Sequence, residues 1–277
     1  MKALVVTQDL LREAMSRRWF LALGAAITLV LVVLGLSLRL DVVDGALAAT
    51  RLFGRALRTD IRSVDVALRP VFKAASYLIF YGGLLFGVVA CADFGPSLLA
   101  PGRIEHLLAL PVRRWELLLG TFLGVLALSL TGALYGASGM LVLFWAKTGV
   151  FTLRPLVSAA LASVTFAGLY GAMLATAVAA RSASLSAATG IALFVLGIIA
   201  GYRDRLSTFF ESGAARAIFR AVTLFLPRVS TLADAAADIA GSHTVDLGAL
   251  ASQLFGLFVF GMAALSLGIH LFDEKDF

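Results

Sequence analysis

Residues 117–146 read LLLGTFLGVLALSLTGALYGASGMLVLFWA, a run without a single Asp, Glu, Lys or Arg. As a helix it measures about 45 Å at 1.5 Å per residue, enough to cross the ~30 Å hydrocarbon core of a bilayer. A barrel strand would alternate over about 10 residues, whereas this run is continuous, so the reading is helical. Outward from it, Trp19–Leu38, Ala74–Ala92, Pro155–Ala180, Ser182–Tyr202 and Leu247–Leu271 are equally free of charge. One charge at the bilayer centre costs about 2.5–3.5 kcal/mol on the insertion scale, so chance does not account for six such windows. The expectation is an all-α integral membrane protein, a six-helix bundle in one domain spanning residues 1–277.

Composition agrees. Of 277 residues, 60% are hydrophobic and 14% charged, and the mean hydropathy is +0.96, which leaves too few charges to coat a soluble core of this size. The first apolar run is longer than a secretory h-region, and Arg39, Asp41 and Asp44 separate it from the cleavage-like Ala46-Leu47-Ala48. Cys91 is the only cysteine, which excludes an intrachain disulfide and a cysteine-rich metal cluster. The net charge of +6 suits phospholipid head groups, and nucleic-acid binding is set aside.

An even number of spans puts both termini on one side. Lys2, Arg12, Arg17 and Arg18 directly precede the first span and favour cytoplasmic termini. Ahead of that span, Ala3, Leu4, Thr7, Leu10, Leu11, Ala14 and Met15 fall on one helical arc opposite Asp9, Arg12, Glu13 and Ser16, the pattern of an interfacial amphipathic helix. Leu4, Leu11 and Met15 are its candidate lipid contacts. Between the first two spans, Arg51, Arg55, Arg58, Arg62 and Arg69 run beside Leu57, Ile61, Val64, Leu68 and Val71. That spacing predicts a second amphipathic helix with a basic edge. Between the fifth and sixth spans, an apolar stretch over 214–226 too short to cross is broken by Pro227 and followed by a small-residue helix over 229–240.

Catalytic patterns are sparse. Ala146-Lys147-Thr148 lacks the glycines that cradle phosphate. His106, His243 and His270 lie far apart, without a second ligand at metal spacing. Ser138, within Gly136-Ala137-Ser138-Gly139, and His270 make a serine/histidine pair of the kind found in rhomboid proteases. They lie near opposite ends of antiparallel spans, about 32–35 Å along each axis from its start, beyond reach of proton transfer. The pairs Gly83/Gly87, Gly120/Gly124, Gly132/Gly136 and Gly197/Gly201 have the spacing of close helix contacts.

The segment joining the second and third spans is the most informative: Gly102-Arg103-Ile104-Glu105-His106-Leu107-Leu108-Ala109-Leu110-Pro111-Val112-Arg113-Arg114-Trp115-Glu116-Leu117-Leu118-Leu119-Gly120. Residues 104–110 make about two helical turns, Pro111 stops them, Arg113 and Arg114 can snorkel, and Trp115 anchors the interface. This stretch resembles the cytoplasmic loop of permease subunits of type-2 ABC exporters, which reads Gly-x-Ile/Leu-Glu-x-Leu-Leu-x-x-Pro-Val-x-Arg and then Leu-Leu-x-Gly. Gly102, Ile104, Glu105, Leu107, Leu108, Pro111, Val112, Arg114, Leu118 and Gly120 fit; Arg103 stands where Thr is frequent, and Thr121 where Lys is frequent.

The resemblance implies that this loop, Arg113 included, is the coupling helix seated in a groove of a separate ATPase subunit. It further implies two permease chains, as a homodimer, and two ATPase chains that bind ATP and Mg, while this chain binds no cofactor or metal and is not an enzyme. Glu105, Leu108, Pro111 and Arg114 are the expected ATPase contacts. The bacterial cytoplasmic (inner) membrane is the expected location, with the lipid bilayer as a further partner. Two other readings stand beside it: a rhomboid-like intramembrane serine protease, and a non-translocating scaffold through which the ATPase does mechanical work on an extracytoplasmic partner.

Overall fold

A computed structural model describes residues 2–16, 18–43, 46–52, 55–58, 62–109, 112–149, 151–210 and 213–275. Helices α1 (Lys2–Ser16) and α2 (Arg18–Ser37) open the chain. Four strands follow: β1 (Leu38–Val43), β2 (Ala46–Leu52), β3 (Arg55–Arg58) and β4 (Arg62–Ser63). The helices then run α3 (Val64–Cys91), α4 (Phe94–Leu98), α5 (Arg103–Ala109), α6 (Arg114–Thr148), α7 (Arg154–Ala180), α8 (Ala183–Gly201), α9 (Arg203–Leu206), α10 (Gly213–Leu224), α11 (Val229–Ala240) and α12 (Leu247–Asp273). By length and apolarity five stretches can cross a membrane: Leu68–Leu98, Arg114–Thr148, Arg154–Ala180, Ala183–Gly201 and Leu247–Asp273. In α2 the apolar stretch among the described residues is the shorter Gly24–Ser37.

Helices α3 and α6 extend ahead of their charge-free windows, whereas α8 stops a residue short of its own at each end. Helix α3 begins at Val64, well before Ala74, and carries Pro70 within it. The window marks hydrocarbon depth, whereas the helix continues into the interface, where Lys73 finds Asp238 at 2.8 Å. Helix α6 likewise starts at Arg114 and ends at Thr148, where Gly149 takes the left-handed conformation that closes it.

The amphipathic helix expected across the arginine-rich loop is not formed. Among the described residues of this stretch, β2 pairs antiparallel with β1, β3 and β4, with Leu38 opposite Leu52 and Thr50 opposite Arg58. The residues of β1 alternate with period two, Leu38/Leu40/Val42 against Arg39/Asp41, which suits a strand and not a helix. Only the end of the proposed stripe, Val64 to Val71, lies in a helix, at the start of α3. Outside these strands every regular element among the described residues is helical.

Helix α7 is the centre of the bundle: 67% of its apolar window is buried, against 22% for α8 and for α12. Phe166, Leu169, Tyr170, Met173 and Leu174 meet Phe80, Leu84, Val88, Leu118 and Val125 in one core. Glycines let backbones approach. A Cβ on Gly171 would lie 2.7 Å from the Gly261 carbonyl oxygen, and one on Gly268 would lie 3.1 Å from Ala175 Cα, so α7 and α12 touch almost backbone to backbone. Of the glycine pairs picked from sequence, Gly120/Gly124 receive α1 and Gly197/Gly201 receive the start of α11. Gly83 has open space beside it, and Gly132 and Gly136 meet only Phe86 and Ile27 at 3.8 Å.

Helix α11 is held in the bundle by polar links as well as by its buried alanines. Tyr77 donates to Asp234 at 2.7 Å, Arg154 donates to the Ala240 carbonyl at 3.2 Å, and Ser230 donates to the Ile198 carbonyl at 3.1 Å. In a bilayer such groups have no water to fall back on, so pairing them fixes the position of a helix too short to span.

Candidate functional site

The segment singled out from sequence folds as a short helix bracketed by turns. Amides of Arg103 and Ile104 both bond to the Ala100 carbonyl at 3.1 Å, and Gly102 sits at φ +81, a left-handed conformation that costs an L residue about 1–2 kcal/mol. Helix α5 then presents two faces. Ile104 is buried in the main core at 3% exposure and Leu107 packs against it, while Glu105 is exposed. Val112 is half-buried and Arg113 exposed. The side chain of Leu108 and the whole of Pro111 lie outside the described residues, as does the side chain of His106.

Arg103, the departure from the family pattern, is the residue that fixes α5. Its Nη1 and Nη2 reach Glu13 Oε1 and Oε2 at 3.0 and 2.5 Å, a bidentate pair joining α5 to α1. Helix α1 is in turn pressed on the base of α6. A Cβ on Gly120 would lie 2.6 Å from Val6 Cβ and 2.7 Å from the Ala3 carbonyl oxygen, and the Thr7 hydroxyl donates to the Gly120 carbonyl at 3.0 Å. The arc read from sequence is therefore divided: Leu10 and Ala14 are buried against the bundle, while Leu4 (64%) and Met15 (59%) are exposed and Leu11 is half-buried. Between α1, α4, α5 and α6 lies a cavity of about 480 Å³ lined by Val6, Asp9, Glu13, Phe94, Arg103 and Leu107.

Arg114 turns inward. Its Nη1 donates to the carbonyls of Phe272 (3.3 Å), Asp273 (3.0 Å) and Lys275 (2.8 Å), closing the end of α12. Lys275 continues the chain of contacts: its Nζ donates to the carbonyls of Val178 and of Ala179, the last turn of α7. Burial and then the nearby Arg181 hold its pKa below the ordinary lysine value. The Arg113 amide donates to Glu116 Oε2 at 2.9 Å, so α6 starts from a capped end. The base of α6, the tail and α7 are thus tied together beside α5.

The serine/histidine pair takes other partners. Ser138 donates to its own helix at the Tyr135 carbonyl (3.0 Å), and His270 Nε2 faces Glu274 at 3.3 Å.

Long apolar helices around a buried centre make this an integral membrane protein. The model for the ABC-2 family transporter protein family matches residues 5–202, and the chain belongs to that family. A search of curated proteins finds no match. The matched region runs from within α1 through α8 and so contains Glu13, α5 and α6.

Family membership makes the chain a permease of the ABC transporter type. Nothing in the sequence pointed to the Arg103–Glu13 pair, whose members stand 90 positions apart. The tail contacts of Arg114 are equally silent in the sequence, beyond the alternation of charge in Asp273-Glu274-Lys275-Asp276.

Proposed function

We propose that this chain is the transmembrane subunit of an ATP-driven exporter in the bacterial cytoplasmic membrane, with α5 as its coupling helix. In this reading α2 is the first of six spans, both termini are cytoplasmic, and the chain forms one domain that pairs with a second copy. Two separate ATPase subunits bind ATP and Mg, and this chain performs no chemistry of its own.

The observation that carries the reading is the fastening of α5: Ile104 buried, Arg103 locked to Glu13, and Glu105 left facing outward. A helix held on one side and offering an acid on the other suits docking against a partner. Push on α5 and the load passes through Glu13 to α1, through the Gly120 contact to α6, and through Arg114 and Lys275 to α12 and α7. Closure of two ATPase subunits would in this way bias the spans between two arrangements. Glu105 and Arg113 are the ATPase contacts in this scheme; Arg114 positions the tail.

An apolar or amphiphilic cargo suits the spans. A cavity of about 350 Å³ between α2, α3 and α6 is lined by Ile27, Leu31, Gly83, Phe86, Gly132 and Gly136, with little polar surface.

The test is affinity capture of the solubilised protein from its native membrane, comparing wild type with Glu105→Arg. Co-purification of a nucleotide-binding subunit with wild type, and its depletion in the variant, is the expected result. Absence of any such subunit from the wild-type sample overturns the reading.

A further inference from the structure

At the opposite end of the bundle from α5, the connection between α10 and α11 runs against the first turns of α12. It encloses a cavity of about 210 Å³ lined by Phe225, Pro227, Arg228, Ser252, Gln253 and Phe260. This is several times the ~30 Å³ a water occupies in the liquid, and unlike the cavity between α2, α3 and α6 it has a largely polar lining.

Three observations converge there. Gln253, the one amide in an otherwise apolar span, has its Oε1 buried without a hydrogen-bond partner among the described residues. An acceptor left bare at membrane depth calls for a donor. Arg228 is half-buried and makes no ion pair or side-chain hydrogen bond among the described residues. Burial and then the neighbouring cation Arg203 press its pKa down, with Asp204 opposing them, and an anion in the cavity would offset both. Finally, Leu224 and Phe225 at the mouth of the cavity are 63% and 78% exposed. Gln253 lies six residues into α12, about 9 Å along the axis from its start, close to the end of the helix that Arg228 faces across the cavity.

We propose that this cavity binds the headgroup of an anionic glycerophospholipid: Arg228 takes the phosphate, Gln253 accepts a hydrogen bond from a headgroup hydroxyl, and Leu224 and Phe225 lie along the first acyl methylenes. A zwitterionic choline headgroup supplies no hydroxyl donor and brings a cation towards Arg228 and Arg203, so the site discriminates against it. The proposal is independent of the ATPase and of the direction of transport.

Native mass spectrometry of the full-length protein, titrated in detergent with phosphatidylglycerol, phosphatidylcholine or inorganic phosphate, tests it. The expected result is preferential retention of phosphatidylglycerol. Arg228→Gln should lose roughly tenfold or more in affinity for it, the scale of a hydrogen bond to a charged group, with a smaller loss in Gln253→Leu. Arg205→Gln removes an exposed cation nearby and should bind as wild type. Unfolding midpoints of all variants are compared, and if Arg228→Gln proves unfolded, Arg228→Lys replaces it and should retain intermediate affinity. Equal retention of the two lipids, or equal losses in the Arg205 and Arg228 variants, overturns the proposal. So does displacement of phosphatidylglycerol by millimolar inorganic phosphate, which assigns the site to a free anion. Absence of lipid with this face covered by a second copy also overturns it.

Discussion

The guanidinium of Arg103 and the carboxylate of Glu13 meet through two parallel hydrogen bonds, fastening the short helix α5 to the N-terminal helix α1. Both side chains are about a third exposed or less, at 33% and 26%, so solvent screening limits the pair to about 1 kcal/mol of stability. Its larger effect is on position. Glu13→Gln and Arg103→Lys should each lower the unfolding midpoint slightly and loosen α5, seen as faster amide hydrogen exchange over 103–109. The swap Glu13→Arg/Arg103→Glu should recover part of the loss in a double-mutant cycle, and additive losses would count against a direct pair.

The α1–α6 contact depends on Gly120 having no side chain. Gly120→Ala sets a methyl against the Ala3 carbonyl oxygen and Val6, and backbone cannot yield as a side chain does. The expected cost is about 1–3 kcal/mol. Gly82→Ala, in the same class of position but with nothing within 4 Å, should be neutral or gain a few tenths of a kcal/mol from helix propensity. Thermal unfolding in one detergent checks both.

Arg114 holds three carbonyls at the end of α12. Arg114→Met leaves them without that donor and should free the tail, so limited proteolysis should cut after Lys275 at a rate several-fold above wild type, with the spans intact. A tail equally resistant in the variant would show that Lys275 alone secures it.

Lys275 gives the same region a pH dependence. Its pKa is lowered in the fold, by burial first and Arg181 second, from the ordinary 10.5. Between the lowered value and 10.5 the unfolded chain binds more protons than the folded one, so stability rises with pH across that window. Below the window the cost of holding the partly desolvated charge beside Arg181 is present in full. Wild type should therefore gain on Lys275→Met as pH climbs towards 10.5, measured as the difference in unfolding midpoint.

Tyr77→Phe removes the only hydrogen-bond donor to Asp234 among the contacts described. A carboxylate in the bundle deprived of its donor costs about 1–3 kcal/mol, and α11 should exchange its amides faster. Asp234→Asn, which keeps an acceptor for the hydroxyl, should be milder.

Much of the body was legible because charge is excluded from hydrocarbon: the windows from residue 74 onward each map onto one long helix, with α3 and α8 stopping a residue short of theirs, and the break at Pro227 separates α10 from α11 as expected. Pro111 and Gly102 likewise mark the limits of a short helix, α5, on which Ile104 is buried and Glu105 exposed. Interactions between distant segments were not legible. Leu10 and Ala14 share one apolar arc with Leu4, Leu11 and Met15 on a helical wheel, yet Leu10 meets Gly124 and both are buried in the core, because a wheel shows a face and not what covers it. Arg114 reads as a snorkelling or docking cation, and only the fold brings the last carbonyls of α12 to it. The strands β1 and β2 are hidden because the stretch carries two periods at once, a helical spacing of arginines and a period-two alternation over 38–43.

Helix α7 is walled by protein, whereas little of the apolar window of α8 or of α12 is buried within the chain. Membrane thickness therefore acts unevenly on this molecule. At 19 residues α8 is about 28 Å long, close to the thickness of the hydrocarbon core itself. It has no spare length to tilt away in a thicker bilayer, while α6, at 35 residues, has ample. Thickening the bilayer would pull on one side of the bundle and spare its centre, so the lipid composition of the host membrane sets how α8 rests against α7.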